Sequence, residues 1–112
     1  VYFSFDDTAL AAGGYIVVIK DTEAFEAQYP GTINIAGIYE GSLSNGGEKI
    51  ELEDATGTNI HEFKYEDDWY PTTDGNGYSL TIINPANPDL QSWSLASAWW
   101  PSYIIGGTPG TN

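Results

Sequence analysis

Ser42-Leu43-Ser44-Asn45-Gly46-Gly47-Glu48-Lys49-Ile50-Glu51-Leu52-Glu53-Asp54-Ala55-Thr56-Gly57-Thr58-Asn59-Ile60-His61-Glu62-Phe63-Lys64-Tyr65 is the stretch on which the fold is read. Asn45-Gly46-Gly47 supplies residues that tolerate positive φ. Beyond it Ile50 and Leu52 alternate with Lys49, Glu51 and Glu53, the pattern of a half-buried strand. Asp54-Ala55-Thr56-Gly57 turns the chain. The returning strand, Ile60 to Tyr65, sets His61, Phe63 and Tyr65 on one face and Glu62 and Lys64 on the other. The unit predicted is a β-hairpin with one wet face.

Working outward, Tyr78 to Ile83 predicts another strand, closed by Asn84-Pro85, and Ala86 to Ser97 is rich in turn residues. Upstream, Tyr2, Phe3 and Phe5 predict a short aromatic strand. Tyr15 to Lys20 is an apolar, largely β-branched run without polar alternation, which predicts a central strand covered on both faces. Asp21-Thr22-Glu23 opens a short helix, with an acid at its start, that Pro30-Gly31 stops. Phe25 and Tyr29, four residues apart, are its expected buried side. Thr32 to Tyr39 reads as an extended crossing carrying Ile33, Ile35 and Ile38. The coarse total is about five strands and one helix, against ~7 strands for a complete immunoglobulin-type sandwich.

Several of these pieces carry a family resemblance. Ser42 to Glu48, Ile50 to Gly57, Trp69-Tyr70-Pro71 and Asp74-Gly75-Asn76-Gly77-Tyr78-Ser79-Leu80 together resemble the bacterial branch of the lamin-tail domain. Leu10-Ala11-Ala12-Gly13-Gly14-Tyr15-Ile16-Val17-Val18 before them and Gly106-Gly107-Thr108-Pro109-Gly110-Thr111-Asn112 after them agree, so the resemblance covers nearly the whole chain. It implies an all-β fold, an immunoglobulin-like β-sandwich with one short helix, forming a single domain over residues 1–112. Members of this branch begin with strands of the type Ile-Asn-Glu-Ile and Phe-Ile-Glu-Leu, whereas Val1-Tyr2-Phe3-Ser4-Phe5 matches the family's segment after those strands. The resemblance therefore implies strands supplied either by upstream sequence or by a neighbouring copy, as in donor-strand complementation, with Tyr103-Ile104-Ile105 as a candidate donor.

Composition narrows the function classes. A chain of 112 residues is expected to bury roughly two-thirds of the surface it exposes when unfolded. It has no cysteine, hence neither a disulfide nor a thiolate metal site. Sixteen acidic residues face three lysines, Lys20, Lys49 and Lys64, and no arginine, for a formal net charge of −13. That field repels phosphate backbones, so nucleic acid is not an expected partner. No apolar run is long enough for a signal peptide or a membrane span, and no membrane insertion is expected. The absence of methionine reads as a piece of something longer.

Catalytic and metal-binding patterns are weak. His61 is the single histidine and sits in phase with Phe63 and Tyr65 without a nucleophile motif, so it is expected to pack and hydrogen-bond. Glu66, Asp67, Asp68 and Asp74 cluster in sequence, but counting a calcium loop from Asp74 puts Tyr78 at position 5, Ser79 at 6 and Pro85 at 12. The motif fails, and Asp74 to Gly77 reads as a turn. The same acids lack the facing cleft that glycoside hydrolysis needs. No cofactor, metal or enzymatic activity is expected.

The tryptophans carry the rest. Trp69 and Trp93 stand where the lamin-tail resemblance implies core aromatics. Trp99 and Trp100 lie in Ser97 to Ile105, a segment longer and more apolar than the family's usual connection. Adjacent residues of an extended chain point to opposite faces, so the two cannot share one buried layer. The candidate interface is thus Trp99, Trp100, Tyr103, Ile104 and Ile105. The expected role, implied by the resemblance, is a non-catalytic attachment or assembly module of a secreted or cell-surface bacterial protein whose partner is another protein or another copy. Two alternatives stand beside it: a carbohydrate-binding module using Trp99, Trp100 and Tyr103, and a subunit of an extracellular filament.

Overall fold

The computed structural model describes residues 1–111, which divide into two compact units. One comprises Val1–Leu43 with the tail from Thr108, and the other Ser44–Gly107. Among the described residues, secondary structure is mostly β, in six short strands with one α-helix.

In the first unit β1 (Val17–Ile19), α1 (Thr22–Gln28) and β2 (Ile35–Ile38) run in that order, and β1 pairs with β2 in parallel. The direction follows from the connection, because parallel neighbours need a crossover long enough to hold a helix. Asp21 starts that helix as its sequence suggests: its carboxylate accepts from Ala24 N at 2.8 Å. Phe25 and Tyr29 pack ring to ring at 4.9 Å, both half-buried. The expectation of a central strand is corrected here. β1 has one neighbour, so its apolar run is sealed by β2 on one edge and open on the other; Ile19 alone of the strand is buried, and Tyr15 before it is exposed. The aromatic N-terminus forms no strand either. It contributes a single bridge, with Tyr2 N to Glu40 O at 2.9 Å and Glu40 N to Tyr2 O at 2.8 Å, while Phe3 and Phe5 pack edge-on. Lys20 donates to the Gly41 carbonyl and lies over the Tyr39 ring. The tail returns to this unit, where Gly110 sits against Ile33 and Val17.

The second unit holds the predicted hairpin. β3 (Lys49–Glu53) and β4 (Asn59–Lys64) pair antiparallel, with Ile50 opposite Phe63 and Leu52 opposite His61. The faces fall as the alternation requires, with Ile60 exposed on the face of Glu62 and Lys64, although Leu52 on the inner face is also exposed. Gly47 admits the chain to β3 at φ 111°, with its Cα so close to Tyr65 that a Cβ would stand 2.2 Å from that carbonyl oxygen. Lys49 and Lys64 face each other in the register, an unfavourable pairing of like charges. Carboxylates offset it: Lys49 pairs with Glu51, and Lys64 with Glu66 at 3.1 Å.

The hairpin turn is organised by one carboxylate. Asp54 Oδ1 accepts from the Thr56 hydroxyl at 2.7 Å, Thr56 N at 2.9 Å and Thr58 N at 3.0 Å. These donors, the Thr56 hydroxyl first, hold the Asp54 carboxyl below the usual carboxylate range.

β5 (Leu80–Ile82) and β6 (Trp99–Pro101) form the third two-stranded sheet, with Ile82 opposite Trp99 and Thr81 opposite Trp100. The turn-rich stretch between them contains short 3-10 helices over Leu90–Ser94 and Ala96–Ala98. Asp74 to Gly77, expected as a turn, is a bend, entered through a further 3-10 helix over Pro71–Thr73, with Asp74 N bonded to Pro71 O at 3.1 Å.

Burial is smaller than chain length leads one to expect. The chain exposes 7957 Å² at 12.2 kDa, which by size scaling buries about 55% of the unfolded surface rather than two-thirds. The physical reason is the sheet architecture: a pair of strands offers two open edges and little face to cover. Among the described residues, Ile19 and Trp99 are the buried hydrophobic ones.

Candidate functional site: an uncharged apolar turn

Trp99 anchors the core of the second unit. It is 7% exposed, packs against Phe63 and Trp93 at 5.4 Å each, and reaches Trp69 at 6.5 Å. Its indole Nε1 donates to Trp93 O at 2.6 Å. Around it His61 packs on Trp93 at 4.6 Å and on Phe63 at 5.5 Å. His61 Nε2 lies 3.3 Å from Leu90 O; a carbonyl only accepts, so that nitrogen carries the proton. His61 is thus packed and hydrogen-bonded, and Trp69 and Trp93 join the aromatic cluster as half-buried members. Trp93 Nε1 is itself buried without an acceptor among the described residues.

Membership of Trp99 in the candidate interface is therefore corrected. The strand alternation that separates the two tryptophans gives the inward face to Trp99, which is consumed by the core. Trp100 takes the outward face, 63% exposed, with its ring 6.2 Å from Tyr70.

The rest of the candidate interface forms a turn held at both ends. Ser102 N bonds to Ser79 O at 2.8 Å, and Gly106 N bonds to Gly77 O at 2.7 Å, so both ends are tied to the segment that leads into β5. Between them the buried Ser102 hydroxyl accepts from Ser79 N at 3.0 Å and donates to Ile104 O at 2.8 Å. Gly107 N closes on the same Ile104 carbonyl at 3.2 Å. Tyr103, Ile104 and Ile105 project from this frame at 79%, 44% and 67% exposure. Gly77, at φ 88°, lets Ile105 lie over the backbone; a Cβ there would come within 2.9 Å of Ile105 Cγ2. The role of Tyr103-Ile104-Ile105 as a donor strand is corrected by the same bonds. A donor strand needs an extended backbone with free donors and acceptors, and this segment is a closed turn whose backbone groups are partly used.

Two residues that build the site escaped sequence reasoning. The Tyr70 hydroxyl lies 2.8 Å from both Ala96 O and Trp99 O, sharing its proton between the two ends of the 3-10 turn that leads into β6. Its place in Trp69-Tyr70-Pro71 marked an aromatic but not a clamp. Ser102 carries no sequence signal, because its value depends on the position of Ser79 across the sheet.

Other surfaces are less formed. A shallow depression of about 400 Å³ is lined by Lys49, Glu62, Phe63, Lys64, Gln91 and Ser94. Among the described residues, no three His, Asp or Glu side chains converge in a way that could hold a metal ion. Among those residues, too, no helix is long and apolar enough to cross a membrane.

No family model, curated protein or solved structure matches the chain.

Proposed function

We propose that the chain is a non-catalytic attachment or assembly module of a secreted or cell-surface bacterial protein, a lamin-tail-like β-sandwich domain whose contact surface is Trp100, Tyr103, Ile104 and Ile105. The observation that carries this reading is the turn itself: three exposed apolar side chains held on a frame of backbone bonds and one buried serine. A backbone already fixed before binding loses less entropy on docking, which favours an interface anchor. Charge supports the same surface. From Leu90 to Asn112 the chain has no charged residue, although the remainder carries the whole net charge of −13. A partner approaching this segment meets no carboxylate within it to desolvate.

Sedimentation analysis over a range of protein concentrations tests the reading. Self-association is expected, and the double variant Trp100→Ser, Ile105→Ser should lose it while keeping its thermal midpoint. A protein that is monomeric throughout, yet binds a sugar on a glycan array through Trp100 and Tyr103, would move the assignment to carbohydrate recognition. Association untouched by the double variant would place the contact elsewhere.

A further inference from the structure

The Asn-Gly dipeptide occurs twice, at Asn45-Gly46 in a turn and at Asn76-Gly77 in a bend, both exposed, yet the two are held differently. We propose that Asn45 is a site of spontaneous backbone-mediated deamidation, a chemical modification that loosens the entry to the β3-β4 hairpin, and that Asn76 is protected from it.

The reaction needs a deprotonated backbone nitrogen following the asparagine and a side-chain amide free to swing onto it. The Gly46 nitrogen attacks Asn45 Cγ; the new C–N bond closes a five-membered succinimide as the bond to Nδ2 breaks, and ammonia leaves. Water then opens the ring at either carbonyl, giving aspartate or isoaspartate at position 45. No oxidant or cofactor enters, and glycine favours the step because it has no Cβ to obstruct the attack.

At the first dipeptide little opposes this. Among the described residues no hydrogen bond holds the Asn45 amide, and Gly46 N makes one long contact, 3.4 Å to Ser44 Oγ. The turn is closed by Gly47 N to Ser44 O at 3.3 Å, and Ser44 is held further by the Glu48 carboxylate on its N–H and the Tyr65 hydroxyl on its carbonyl at 3.2 Å, but these bonds engage neither the Asn45 side chain nor Gly46 N. At the second dipeptide Asn76 Nδ2 donates to Pro71 O at 3.2 Å, and Gly77 is fixed by Gly106 N on its carbonyl at 2.7 Å. The first bond has to break before the amide can reach the glycine nitrogen, and the second restrains the backbone rotation that brings that nitrogen to Cγ. Isoaspartate at position 45 would lengthen the main chain by one atom just before Gly47, where the backbone already touches the Tyr65 carbonyl and Tyr65 N bonds to Glu48 O at 3.3 Å. The hairpin entry has no room to absorb it.

Peptide mapping tests the proposal on the intact chain. Cleavage after Lys20, Lys49 and Lys64 places Asn45 and Asn76 in different tryptic peptides. The folded protein is incubated at mildly alkaline pH beside a urea-unfolded control, and conversion of amide to acid is followed by mass spectrometry. In urea the two dipeptides should react at similar rates. On folding, Asn45 should keep its rate within a few-fold, whereas Asn76 should slow by roughly tenfold, the effect of breaking one hydrogen bond first in a backbone held by another. Gly46→Ala should slow the reaction at Asn45 only. Folded-state rates that are equal, or faster at Asn76, would overturn the proposal, as would a folded Asn45 slowed as much as Asn76.

Discussion

Trp99 and Trp100 are neighbours in sequence, identical in chemistry and opposite in what their removal should do. Replacing Trp99 with alanine deletes a side chain that is 7% exposed, its contacts with Phe63, Trp93 and Trp69, and the bond to Trp93 O. Truncation of a buried tryptophan costs about 3–5 kcal/mol. Small domains have only about 5–15 kcal/mol in total, and Trp99 is the single buried hydrophobic among the described residues of its unit, so the loss should bring that unit close to unfolding. At about 4 °C or more per kcal/mol, the midpoint should fall by at least ~12 °C. Trp100→Ala removes a ring that is 63% exposed, and should stay within about 0.5 kcal/mol of the parent. Intrinsic fluorescence is the natural assay, because Trp69, Trp93, Trp99 and Trp100 all lie in the second unit. A Trp99→Ala protein that melts like the parent, or a Trp100→Ala protein that melts with the Trp99 variant, would refute the assignment of core and surface.

Further outcomes rest on the hairpin turn and the tyrosine clamp. Since the folded Asp54 carboxyl titrates below its unfolded value, its contribution is present above the unfolded pKa and is lost as pH falls through the folded one. An Asp54→Asn variant should be less stable at neutral pH and show a weaker decline in acid, with both proteins compared by thermal melts from neutral pH downward. Tyr70→Phe leaves the Ala96 and Trp99 carbonyls without their shared donor and should cost about 1–3 kcal/mol in denaturant unfolding; a neutral result would mean that water serves those carbonyls as well.

Local chemistry was the legible part of this sequence. The β3-β4 hairpin, its Asp54-Ala55-Thr56-Gly57 turn and the Asp21-capped helix each rest on residues within a few positions of one another, and each stands where the pattern put it. The opposition of Trp99 and Trp100 was legible for the same reason, since alternation along a strand is a local rule. What alternation does not give is which face is the inner one. That depends on Phe63 and Trp93 arriving from other segments, and so Trp99 was misassigned to the interface. The run from Tyr15 to Lys20 shows a related limit. An apolar strand is the same string whether neighbours flank it on both sides or on one, and the strand-helix-strand order that makes β1 and β2 parallel partners lay in the sequence unread. The turn from Tyr103 to Ile105 looked like a strand because its residues favour strands. The cross-sheet bonds of Ser102 and Gly106, which close it, involve partners more than twenty positions away.

Concentration-dependent amide NMR tests the contact surface most directly, because it reports each residue without altering any. If Trp100 and the turn from Tyr103 to Ile105 form the contact, raising the protein concentration should move or broaden the signals of those residues and their neighbours Gly77 and Ser79, and leave β1, α1 and β2 unchanged. A spectrum that does not change with concentration, or one whose changes fall on the β1-β2 edge while the turn stays still, would contradict it.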